Sequence, residues 1–157
     1  MKKLILYLII GMLLNCGSSK VVKQSKKTIK GNWSLSSITY SKTGDYNVTL
    51  LNDTTKECFE GSLWQFIPNN NTGMYNINNI NCNTGERYFN FTIQETDEVT
   101  GYYDFLLKPT NEKGKSETNA GFRMRLTSLS ETSMQWQQTV NTNGAPFIIN
   151  MNFTKSQ

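Results

Sequence analysis

A chain of 157 residues with 16 Lys and Arg, 12 Asp and Glu and a formal charge of +4 allows one domain with a core of its own. It contains no histidine, which removes Ser/His and Cys/His triads, the commonest general base and most catalytic zinc sites. Lys2 and Lys3 open the chain and Lys20, Lys23, Lys26, Lys27 and Lys30 form one cluster, so only 9 of the 16 basic residues remain from Gly31 onward, facing all 12 acidic ones. A nucleic-acid binder needs a basic domain, and none is expected here.

Leu4 to Leu14 is an apolar run of 11 residues broken only by Gly11. That is the length of the hydrophobic region of a secretory signal, and too short to cross ~30 Å of hydrocarbon as a helix. The junction Leu13-Leu14-Asn15-Cys16 resembles the lipobox of bacterial prolipoproteins, with Asn15 where Gly, Ala or Ser is usual. The resemblance implies diacylglycerol on the Cys16 thiol, cleavage before it and acylation of the new amine, hence a membrane partner through lipid. Two or three acyl chains make a stable anchor where one does not. Residues 1–15 are therefore read as a signal peptide and 16–30 as a lipidated Lys/Ser-rich tether, expected to be a flexible solvated spacer in preference to a stretch whose lysines lie on an anionic surface. Lipoproteins exported to the cell surface of Bacteroidota often carry an acidic run after the cysteine. None follows Cys16, which places the expected protein in the cell envelope, on the outer membrane facing the periplasm.

Beyond Lys30 the apolar period is two, the period of a strand with one buried face. The predicted strands are Asn32–Tyr40, Tyr46–Leu51, Ser62–Ile67, Gly73–Asn78, Glu86–Gln94, Gly101–Lys108, Gly121–Leu129, Ser133–Val140 and Phe147–Thr154. In the last, Phe147, Ile149, Met151 and Phe153 face one way and Asn150, Asn152 and Thr154 the other. Turn signals separate them at Thr43-Gly44-Asp45, Asn69-Asn70-Asn71, Thr84-Gly85 and Asn143-Gly144. Asp53–Glu60 has room for a helical turn or two, and no longer helix is expected after Cys16. Short strands at this spacing make an up-and-down barrel or a sandwich, and closure removes the unpaired edges of an open sheet.

With Cys16 assigned to lipid, Cys58 and Cys82 are an even pair in an oxidising compartment and are expected to form a disulfide. A redox-active pair would show Cys-x-x-Cys spacing and an electropositive neighbour, whereas Glu57 and Glu60 flank Cys58.

Gly31-Asn32-Trp33 opens the first strand directly after the tether, followed by Cys58, Trp64-Gln65-Phe66, Gly73-Met74-Tyr75 and Cys82. Gly-x-Trp in that place is the main sequence mark of lipocalins, and residues 31–157 resemble the lipocalin-like domains of Bacteroidota-type envelope lipoproteins. The resemblance implies an all-β, up-and-down antiparallel barrel of about eight strands. It also implies that Trp33 plugs the closed end beneath a late-strand arginine, for which Arg123 and Arg125 are the candidates. A second lipocalin motif, a Thr-Asp-x-Tyr type of turn, is missing, as is a C-terminal helix.

The resemblance to carriers makes a binding module for a small apolar ligand the first expectation. Trp64, Phe66, Tyr75, Phe89, Phe91, Phe105, Phe122 and Trp136 are the candidate lining, although a barrel of this size can also fill itself with side chains. The alternative is a structural lipoprotein that docks other envelope proteins without a ligand cavity. Catalysis is not expected, since without histidine only a carboxylate pair remains and Asp97-Glu98, being adjacent, point to opposite faces of a strand. No catalytic residue, metal or cofactor is assigned.

Overall fold

Alternation of buried and exposed side chains runs through eight strands that close into an antiparallel barrel in the order β1-β10-β9-β8-β7-β6-β5-β4, returning to β1. The computed structural model describes residues 20–97, 102–142 and 144–156; the expected signal segment and Cys16 lie outside them. The barrel strands are β1 (Gly31–Tyr40), β4 (Leu63–Ile67), β5 (Thr72–Ile77), β6 (Gly85–Asp97), β7 (Tyr102–Thr110), β8 (Phe122–Leu129), β9 (Ser133–Thr142) and β10 (Ala145–Lys155). Between β1 and β4 lie the two-residue strands β2 (Thr49–Leu50) and β3 (Thr54–Thr55) and the short helix α2 (Lys56–Phe59). The expected strand Tyr46–Leu51 thus shrinks to β2, because its only strand partner is β3 across a tight turn.

Closure rests on β1, which pairs with β10 along most of its length and with β4 through Gly31–Ser34. A bulge between Leu35 and Ser37 lets β1 bend between its two partners. Inward residues follow the pleat, as in Trp64 and Phe66 on β4, Phe89, Phe91 and Ile93 on β6, and Phe147, Ile149, Met151 and Phe153 on β10. Gly73 faces Phe89 across β5 and β6, and a Cβ there would stand 2.4 Å from Phe89 Cζ. Any larger residue would displace that ring.

The segment expected to be a flexible spacer is corrected by the structure. Lys20–Ile29 forms helix α1, which packs across one end of the barrel against β6 and β8, burying Val22, Ser25, Thr28 and Ile29. Its apolar positions are too few to stabilise an isolated helix of ten residues, so the barrel end supplies the stability. Three bonds fasten it. Trp33 Nε1 donates to Ile29 O (2.8 Å), Lys155 Nζ donates to Thr28 O (2.8 Å), and Lys26 Nζ donates to Asn71 Oδ1 (2.6 Å).

The cation over Trp33 is also corrected. It is Lys155, 5.0 Å from the ring centroid, and neither Arg123 nor Arg125. Lys155 is the β10 partner of Trp33 in the strand register. Arg123 and Arg125 alternate with the buried Met124 and Leu126 and therefore face outward, Arg123 pairing with Asp104 at 3.0 Å. Trp33 itself is fully buried, its indole N–H bonded to Ile29 O of α1.

Candidate functional site

Opposite α1, the segment from Ser41 to Glu60 lies across the other end of the barrel as a lid. Phe59 is its plug: fully buried, it stacks on Trp64 at 6.2 Å and tilts against Tyr75 at 5.4 Å. Tyr46 packs on Phe147 (4.8 Å) and Tyr40 on the same ring (5.3 Å), closing the β1–β10 side. The disulfide Cys58–Cys82 is formed, with Cα atoms 5.8 Å apart, and joins α2 to the β5–β6 connection. Glu60 Oε1 accepts the Ile38 N–H (2.7 Å) and fixes the lid's return to the barrel.

Beneath the lid the lumen is filled. Trp136 stacks on Phe105 at 4.4 Å, Phe105 on Phe91 at 5.1 Å, Trp64 on Tyr75 at 4.4 Å, and Phe66 meets Trp136 edge-on at 5.7 Å. Phe153, absent from the expected lining, completes the stack at 4.7 Å from Trp136. The eight candidate ligand contacts are thus mostly core. This corrects the expectation of a cup lined by Trp64, Phe66, Phe91, Phe105, Phe122 and Trp136: all but the half-buried Phe122 are spent on one another. The physical reason is ring volume, since eight narrow strands leave little room once this many aromatic side chains turn inward.

A cavity of about 580 Å³ survives at the lidded end, between the lid and the β5–β7 wall. Leu51, Tyr75, Phe89, Leu107 and Pro109 give it an apolar floor. Asp53, Arg87, Thr110, Asn111 and Thr118 give it a polar rim. Of the candidate residues, Tyr75 and Phe89 border it.

An ion pair sets the electrostatics of that rim. Arg87 Nε and Nη2 lie 3.2 and 3.4 Å from the two carboxylate oxygens of Asp53, and Tyr75 Oη donates to the same carboxylate at 2.8 Å. Both charged side chains are about four-fifths buried, 21% and 19% exposed, so each depends on the other for its solvation. Burial first, then the Asp53 charge, pushes the Tyr75 phenol well above its usual 10.0. The neighbouring Tyr88, hydrogen-bonded to Glu86, is pushed up to about 12.

A raised tyrosine pKa means the folded state holds the proton more tightly than the unfolded chain. The associated stability is whole below pH 10.0 and is lost as pH rises beyond it. The urea midpoint is therefore expected to fall from about pH 10 upward, and Tyr75→Phe to flatten that fall. An unchanged alkaline slope in Tyr75→Phe would remove this phenol from the account.

Two features of the rim escaped the sequence. Leu51 and Asn52 have φ of 51° and 54°, a left-handed pair that turns β2 into β3. For leucine this conformation costs on the order of 1–2 kcal/mol, and the strained residue sits on the cavity. Thr110 Oγ1, also at the rim, is buried without a hydrogen-bond partner among the described residues. Among those residues no group of three or more His, Cys, Asp or Glu could hold a metal ion.

A short antiparallel barrel, stoppered at one end by a helix and lidded over a cavity at the other, is a lipocalin-like architecture. The chain belongs to the lipocalin-like domain family, whose model matches residues 29–136. A lipocalin-like protein from Bacteroides uniformis has a similar structure, with a TM-score of 0.51 at 10% identity, covering 82% of this chain and 99% of that one. At that identity the likeness is one of fold. No curated protein matches the sequence.

Proposed function

We propose that this protein is a non-catalytic, lipid-anchored envelope protein that binds a small, mainly apolar ligand at the lidded end of its barrel. The observation that carries the reading is the cavity of about 580 Å³, with an apolar floor and a few rim polar groups. The unpartnered Thr110 hydroxyl suits a ligand with one hydrogen-bonding end. Arg87 is already neutralised by Asp53, and Glu86 adds a negative charge, so an anionic head group is disfavoured. The anchor rests on the lipobox-like junction at Cys16.

Native mass spectrometry of the protein isolated from its own host tests both parts. Acyl mass on the N-terminal peptide supports the anchor, and a copurified small molecule supports carriage. Ala120→Trp, which places a ring in the cavity mouth, is expected to weaken binding of that molecule at least about tenfold while leaving the fold intact. Equal affinity in Ala120→Trp removes the cavity from the proposal. A second reading, a docking platform, draws on the filled lumen and on the exposed Leu63 and Ile67 on the outer face of β4. Repeated recovery of an empty barrel with one protein partner would favour it.

A further inference from the structure

The lysine cluster that precedes the barrel is held by a structured element. On a helix of 100° per residue, Lys20, Lys23, Lys27 and Lys30 (the last just past the final turn) fall within an arc of about 80°. All four are exposed, and they lie opposite Val22, Ser25, Thr28 and Ile29, which α1 buries against the barrel. Lys26 and Lys155 are engaged within the fold, by Asn71 and by Thr28 O. No acidic residue occurs between Gly17 and Lys30. Among the described side chains, the acid that meets α1 is Glu131, within 3.4 Å of Thr28 Oγ1. From Gly31 onward 9 basic residues face 12 acidic ones, so α1 sets a basic face on a domain that is otherwise acidic.

We infer that the exposed lysine face of α1 is a docking surface for the anionic phospholipid headgroups of a membrane, and that it turns the cavity away from the bilayer. The inference rests on the anchoring reading of Cys16, which stands four positions before Lys20. Four residues reach at most about 14 Å when extended. An anchor at Cys16 therefore keeps Lys20 within about 14 Å of the headgroups, less than two screening lengths of about 8 Å, and α1 lying flat on the surface brings the other three as near. At that range each lysine adds to the attraction, and a rigid helix presents all four together. Because α1 covers one end of the barrel and the lid the other, contact through α1 points the cavity into the aqueous compartment. Ligand exchange then passes through water or a soluble partner, not directly through the bilayer.

The test uses the full protein extracted in detergent and reconstituted into phosphatidylcholine vesicles, with or without about one-third phosphatidylglycerol. Lysines are acylated with a water-soluble reagent and read by peptide mass spectrometry. At about 0.1 M salt, Lys20, Lys23, Lys27 and Lys30 are expected to react roughly fivefold more slowly in the anionic vesicles, and to recover at about 1 M salt. Lys42 and Lys56, on the lid at the cavity end, are expected to react equally in both. In Lys23→Gln/Lys27→Gln/Lys30→Gln, Lys20 is expected to lose its slowing. Equal rates for the α1 lysines in both lipids, or equal slowing of the cavity-end lysines, would overturn the inference. The intact mass of the same sample reads the acyl chains, so a missing anchor is recognised separately from a failed lysine contact.

Discussion

Trp136→Ala is expected to lower the unfolding free energy by about 3–5 kcal/mol, a large share of the 5–15 kcal/mol typical of a domain. Trp136 is fully buried and touches Phe105, Phe66, Trp64 and Phe153, so its removal leaves a void walled by stiff rings that collapse poorly. For a domain of this size the melting temperature should drop by roughly 10–15 °C. Its indole Nε1–H has no hydrogen-bond partner among the described residues. Trp136→Phe sheds that unpaired donor and should cost well under half as much. Urea titration of both variants checks the pair. A near-neutral Trp136→Ala would mean that the lumen is loosely packed and that ligand space extends down the barrel.

Breaking the disulfide is the other large effect. Cys58→Ala/Cys82→Ala opens a loop closed across a sequence separation of 24, for which the chain-entropy relation gives about 3.5 kcal/mol. The melting temperature is expected to fall by roughly 10 °C, and reductant to reproduce that fall in the wild type while leaving the double variant unchanged. The bond also pins α2, and with it Phe59 and the Asp53 side of the cavity rim, to the β5–β6 connection. Affinity for any cavity ligand should therefore fall along with stability. A double variant that melts like the wild type would show that Phe59 and the Asp53–Arg87 pair hold the lid without it.

Strands, turns and the disulfide were legible because the signals that specify them are local. Period-two alternation at Phe89-Asn90-Phe91-Thr92-Ile93 or Phe147 to Phe153 needs no knowledge of the partner strand. The cysteine pairing followed from reading Cys16 as the lipid carrier, which left two candidates. Helix α1 was missed because Val22 and Ile29 are its only buried apolar side chains, and its other buried positions, Ser25 and Thr28, read as linker. The Asp53–Arg87–Tyr75 network was missed because its members come from three elements, 22 and 34 positions apart.

By itself the sequence determined which residues turn inward and which two cysteines would join. Each of these depends on neighbours along the chain or on a count. Only the tertiary structure decided that Lys155 rather than an arginine covers Trp33, since that depends on register between the first and last strands. It also decided that the aromatic lumen is solid while the space for a ligand lies under the lid. Alternation states which face a ring takes; whether rings from eight strands fill a barrel depends on its radius and stagger, which exist only once the sheet has closed.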